Sequence, residues 1–129
     1  ALAYRRSTPR FVLTYYKVLV TGSRNWTDRP KMYARLSKLP KNTMLIQGGA
    51  RCADLMAAEI AREFGWPVVQ IDANWNFYHK AAGPIRNGWM LALEPDICLA
   101  FHEDITNSRG TNDMMERARK AGVPVELIS

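Results

Sequence analysis

Four strand-like runs, each followed by a turn and a helix-like run, with a fifth strand-like run near the end, constrain this chain more than any other feature. The runs are YKVLVT (16–21), TMLIQ (43–47), PVVQI (67–71), DICLAF (96–101) and PVELI (124–128). Those at 18–20 and 97–101 are almost continuously apolar, as parallel strands covered on both faces must be. Apolar residues at helical spacing fill the intervals: Met32, Leu36 and Leu39; Met56, Ile60 and Phe64; Ile85, Trp89 and Leu93; Met114, Ala118 and Ala121. This alternation predicts an α/β domain with helices on both faces of a central sheet. Right-handed crossovers with one reversal give five parallel strands in the order 3-2-1-4-5.

Helix punctuation fits that frame. Thr27 or Asp28 can cap a helix that accepts Pro30 in its first turn, and Thr111 can cap the last helix with Asp113 near its positive end. Gly65 and Gly122 stand where C′ glycines belong, with Pro67 and Pro124 two residues later. Segments 61–68 (AREFGWPV) and 118–125 (ARKAGVPV) agree at five of eight positions, which reads as one mechanical solution to a helix–Gly–x–Pro–strand junction used twice.

A length of 129 residues suits one domain, expected over 14–129, and 47% hydrophobic with 23% charged residues excludes a disordered chain. No window approaches the roughly 18 apolar residues of a membrane helix, so no membrane partner is expected. Arg5, Arg6 and Arg10 hold half of the formal net charge of +6, and residues 1–13 read as a basic extension without the apolar stretch of a signal peptide. The remainder is close to balance, which argues against nucleic acid as the partner. Cys52 and Cys98 form neither a disulfide framework nor a metal motif, so no metal site or cofactor is expected and a reducing cytoplasmic compartment fits best.

Open parallel sheets bind ligands beyond the carboxyl ends of their strands. After the first strand-like run come Gly22, Ser23 and Arg24; after the second, Gly48, Gly49, Ala50, Arg51 and, at the helix start, Asp54. The third leads through Trp75 to Gly83-Pro84-Ile85-Arg86-Asn87, and the fourth to Ser108, Arg109, Gly110 and Thr111. Glycines let backbone amides approach a ligand, helix starts offer unsatisfied N–H groups, and arginine matches phosphate with a forked donor. Arg24, Arg51, Arg86 and Arg109 together read as a phosphate-binding mouth. Neither GxGxxG nor GxxxxGK[ST] occurs, which excludes the ordinary dinucleotide and triphosphate loops. Ser23 with His79 or His102 lacks the GxSxG context of a nucleophile.

The segments VTGSRNW (20–26), QGGARCADLMAAEIA (47–61), AAGPIRNGWM (81–90), PDICLAF (95–101) and SRGTNDMMERARKAGVPV (108–125) resemble the SLOG superfamily, in its small YspA-like branch from bacteria and their phages. The resemblance runs from about Lys17 to Ile128 and implies a Rossmann-like sheet that binds a nucleotide or nucleotide-derived molecule. It sets the chain beside Lonely Guy enzymes, which release a base from a nucleoside monophosphate, and DNA-processing protein A, which binds single strands. Three departures stand out. Cys52 replaces the usual glycine, Gln47 stands where a histidine often precedes the double glycine, and Met114 occupies the place of the Lonely Guy glutamate. Arg86 falls where those enzymes carry a functional arginine.

Two functions follow as expectations. The first is sensing or sequestration of a phosphorylated nucleoside or nucleotide sugar. The alternative is an N-glycosidase acting on a nucleoside 5′-monophosphate, for which Asp54 and Arg86 are the candidate catalytic groups. Met114 at the expected acid position favours binding over catalysis. Single-strand binding by Trp26, Trp75, Phe77 and Tyr78 is a third reading, weakened by the balanced charge. A homodimer is consistent with the Met- and Trp-bearing surfaces.

Overall fold

The computed structural model describes residues 14–129; the basic extension expected at 1–13 lies outside the described residues. Five parallel strands, β1 (Tyr16–Gly22), β2 (Thr43–Gln47), β3 (Val68–Gln70), β4 (Ile97–Phe101) and β5 (Val125–Ile128), form one sheet in the order β3-β2-β1-β4-β5. The topology expected from the alternation is the one observed. The third strand is shorter than its apolar run, three residues at the sheet edge.

Successive side chains of a strand alternate between faces, and the two cores divide accordingly. Val18 and Val20 of β1, Leu45 of β2, and Leu99 and Phe101 of β4 enter one core with helices α1 (Arg29–Leu36) and α2 (Ala53–Glu63). Leu19, Ile46 and Cys98 enter the other, which contains Met90 of α4 (Ala82–Leu91) and Met114 and Ala118 of α5 (Arg109–Lys120). A one-turn helix, α3 (Trp75–Tyr78), precedes α4. Burial pushes the Cys98 thiol up to about 12, so it behaves as a small apolar side chain.

Asp28 caps α1, accepting from the Lys31 amide at 3.0 Å with Pro30 behind it. The repeated junction has one geometry. The Gly65 and Trp66 amides reach the Arg62 and Ala61 carbonyls, while those of Gly122 and Val123 reach Arg119 and Ala118. Both glycines have φ near +80° (76° and 79°), the conformation this helix ending requires.

Three local expectations are corrected. The cap of α5 is Ser108, whose Oγ accepts from the Thr111 amide at 3.2 Å, so Thr111 lies inside the first turn. Ala121 is exposed, and the buried stripe of that helix is Thr111, Met114, Met115 and Ala118. In α4, Trp89 is 42% exposed and the inward face is Ala82, Gly83, Asn87 and Met90. The helix is rotated because the Asn87 amide must reach α5, where Nδ2 donates to Asp113 Oδ2 at 2.9 Å and to the Gly110 carbonyl at 3.3 Å.

A candidate anion cleft at the sheet switch point

β1 and β4 are neighbours at the sheet centre, yet the chain leaves them for opposite sides, toward β2 and β5. Such a reversal opens a crevice beyond the carboxyl ends. A cleft of about 620 Å³ lies at that point, lined by residues of the β1, β2 and β4 exits together with α4 and the start of α5.

Gly22, Ser23 and Arg24 line it from β1. Ser23 is buried; its Oγ accepts from the Asn25 amide at 2.8 Å and donates to Glu103 Oε1 at 2.7 Å. Ser23 is therefore paired with a carboxylate.

The β2 exit is a backbone cradle around a buried acid. The Gly48 and Ala50 amides donate to Asp54 Oδ2 at 3.1 and 3.2 Å. Asp54 is 5% exposed and lines the cleft with Ala50. Burial raises its carboxyl to about 6, against the pull of the Ala50 and Gly48 amides and of the Arg86 and Arg24 charges. Gln47, at the place of the family's frequent histidine, accepts from the Gly49 amide through Oε1 and donates from Nε2 to Gln70 at 2.8 Å. The amide thus supplies both an acceptor and a donor to hold the loop.

Cys52 follows with φ 63° and ψ −97°, and makes no side-chain cap to α2. This is backbone that a glycine adopts freely and a side chain resists, at a cost of about 1–3 kcal/mol. Cys52→Gly should therefore raise stability by about 1 kcal/mol, after the extra chain entropy of glycine is deducted. A urea unfolding curve whose midpoint stays put or falls would refute the strain.

Arg86 reaches the cleft from α4. Its Nη1 donates to the Gly48 carbonyl at 2.6 Å and its Nε to Asn87 Oδ1 at 3.1 Å, leaving Nη2 without a partner among the described residues. Burial pulls its guanidinium below the ordinary value, with Asp54 opposing. Asn87, 3% exposed, thereby links Arg86 to Gly110 and Asp113 on α5.

The last wall is the β4 exit and the start of α5. Ser108, Arg109, Gly110 and Thr111 all line the cleft. Ser108 occupies the Thr111 amide, and the Arg109 and Gly110 amides have no intrahelical acceptor. A Cβ placed on Gly110 would meet nothing within 4 Å.

Eleven of the residues singled out in the sequence thus line the cleft: Gly22, Ser23, Arg24, Ala50, Asp54, Arg86, Asn87, Ser108, Arg109, Gly110 and Thr111. Four others stand outside its lining. Gly48 contributes through its carbonyl to Arg86, and Gly49 (φ 71°) turns the loop against Asp72. Arg51 is exposed on the turn, and Trp75 is 49% exposed, with its ring edge 3.4 Å from where a Cβ on Gly83 would lie. Met114 is fully buried, Asp113 is taken up by Asn87 and Arg117, and Glu116 pairs with Lys120 outside the cleft.

Residues 16–78 match the model of the YspA, cpYpsA-related SLOG family. The Gene 61 protein of Mycobacterium phage D29 is 36% identical over 122 aligned residues, which span 84% of this chain and 93% of that protein. The chain belongs to this SLOG family. The X-ray structure of DNA processing protein A from Streptococcus pneumoniae superposes with a TM-score of 0.70 at 21% identity. That match covers 91% of this chain but only 51% of the other, and it shows a shared Rossmann-like fold. SLOG membership suggests a nucleotide-related binding or processing role. No helix among the described residues is long and apolar enough to cross a membrane.

The cleft also contains six residues outside the expected site: Thr21, Asn25, Glu103, Asp104, Asn107 and His102, the last weighed in the sequence only as a partner for a Ser23 nucleophile. Four of them occupy the stretch after Phe101, ahead of the Ser-Arg-Gly-Thr motif. Glu103 is held below the usual carboxylate range chiefly by the Ser23 hydroxyl, and Asp104 by Thr106 and Asn107.

Proposed function

We propose that this SLOG protein binds a phosphorylated nucleoside or nucleotide-sugar derivative in the switch-point cleft, as a sensor or a sequestering module. One observation carries the reading: Arg24, Arg86 and Arg109 line the same cleft as the first turn of α5. Charged forks and open backbone amides around one cavity suit a phosphate.

Mass spectrometry of small molecules released by heating the purified protein should find a nucleotide derivative. Arg86→Ala should weaken binding of that molecule by about 1–3 kcal/mol, and Gly110→Val should block the α5 amides while the fold survives. Gly48→Ala should reproduce the Arg86 defect, because the new Cβ would fall 2.5 Å from Arg86 Nη1 and dislodge a mobile side-chain end. Unchanged affinity in all three variants by calorimetry would remove the cleft from the account.

A second reading, N-glycosidase activity on a nucleoside 5′-monophosphate, draws on Asp54, a carboxyl raised to about 6 that lines the same cleft. Such an acid can hold or give a proton near neutral pH. Free base accumulating from a nucleoside monophosphate, and abolished at saturating substrate by Arg86→Ala, would make this reading the correct one. The fold shared with DNA processing protein A raises single-strand binding as a third reading; a steep loss of affinity with salt would mark it.

A further inference from the structure

The cleft is chemically two-sided. The arginines and the α5 amides are donors, suited to an anion. The β4 exit opposes them with His102, Glu103 and Ser23. Glu103 is exposed at the wall of the cleft, and Ser23 fixes its Oε1 at 2.7 Å, leaving Oε2 free to accept. Asp104 is engaged by its own loop, where Thr106 and Asn107 donate to its two oxygens.

His102 is 8% exposed, and its Nδ1 accepts from the Asp104 amide at 2.9 Å. That bond places the proton of the neutral ring on Nε2. Nε2 has no partner among the described residues, and no fully buried side-chain nitrogen or oxygen there is left unpaired, so Nε2 keeps some solvent exposure on a residue that lines the cleft. Glu103 Oε2 lies 4.0 Å from the Nδ1 edge of the His102 ring, so a carboxylate oxygen and a ring N–H without a partner belong to adjacent residues of one cleft wall.

A hydroxyl is both donor and acceptor, and a vicinal diol presents two of each. An acceptor beside a donor complements it, whereas a second phosphate would be repelled by Glu103. We propose that the His102–Glu103 wall, positioned by Ser23, reads the 2′,3′-diol of a ribose, which makes the ligand a ribonucleotide with unmodified hydroxyls. This rests on the nucleotide reading above and deepens it. A site built to bond a hydroxyl discriminates strongly against an analogue lacking it, because its own polar groups are then left unpaired.

The test titrates the wild-type protein with the 5′-monophosphates of adenosine, guanosine, cytidine and uridine and with their 2′-deoxy counterparts. At least one ribonucleotide should bind about tenfold or more tightly than its deoxy partner. Glu103→Ala, read beside its melting temperature because it removes the acceptor of the buried Ser23 hydroxyl, should bring that ratio close to one. Equal binding of ribose and deoxyribose forms by the wild type overturns the diol assignment and leaves the nucleotide reading standing. So does a Glu103→Ala variant that changes base preference but keeps the ribose preference, since Glu103 would then face the base. Failure of all eight compounds to bind overturns the assignment too. If the heat-released fraction also lacks nucleotide derivatives, the underlying reading falls with it.

Discussion

Gly22→Ala is expected to destabilise the protein by about 3 kcal/mol, a drop of roughly 10 °C in melting temperature for a domain of this size. The cause is space. Gly22 pairs with Phe101 across the β1–β4 ladder, and the Ser23 amide donates to the Phe101 carbonyl at 2.9 Å. A Cβ on Gly22 would drive into that carbonyl oxygen and approach Ala53 Cβ at 2.8 Å. Neither obstacle is the end of a flexible side chain. One is the backbone of the central strand, and the other is the first residue of α2, whose amide bonds Ser23 at 3.2 Å. Relief requires β1 to part from β4 or α2 to lift, and both movements deform the cleft. Gly110→Ala is the matched control, because its Cβ enters open space inside a helix and should be neutral or slightly stabilising. Urea unfolding of the two variants side by side decides the matter, and a loss below about 1 kcal/mol in Gly22→Ala would show that the strand end yields easily.

That contact explains why the sequence discloses some of this protein and conceals the rest. Strand positions and order were legible because a buried parallel strand must be apolar along its length, and because crossovers obey a chiral rule. The glycine at 22 was visible, but its obstacle is a carbonyl 79 positions away, and no local pattern encodes it. Helix α4 misled for a related reason. Ile85, Trp89 and Leu93 have the spacing of a core stripe, yet Trp89 faces outward with Tyr78 against it at 6.0 Å between ring centroids. Asn87 turns inward to bind α5, and a polar residue on the packed face defeats a periodicity argument built on apolar ones. In the cleft, glycines and arginines announced themselves by type. Glu103 does not, because the motif after the fourth strand starts at Ser108 whereas β4 ends at Phe101, and His102 stands out only as a histidine without a nucleophile context. The signal for Glu103 is its place among the first residues after the apolar run. Cys52 was legible only as a departure from the family; the left-handed backbone that makes it costly belongs to the structure.

Asp54 should make the protein less stable as the pH rises. Its carboxyl titrates near 3.8 in an unfolded chain and near 6 in the folded one, because burial disfavours the charge more than the surrounding amides and arginines favour it. Between those values the folded state binds the proton more tightly than the unfolded state does. The stabilising contribution is complete below about pH 4 and is lost as the pH passes through about 6. A shift of some two units corresponds to roughly 3 kcal/mol across that window. The conservative variant Asp54→Asn stays neutral like the protonated acid, so this group's loss of stability with rising pH should be absent from it. Denaturant titrations from pH 4 to 8 would show the difference between wild type and variant as a step centred near pH 5. A flat difference would mean that the Gly48 and Ala50 amides outweigh burial and hold Asp54 ionised throughout. In that case Asp54 clamps the loop as a permanent anion, and the proton that glycosidic cleavage would draw from it near neutral pH is not there to be given.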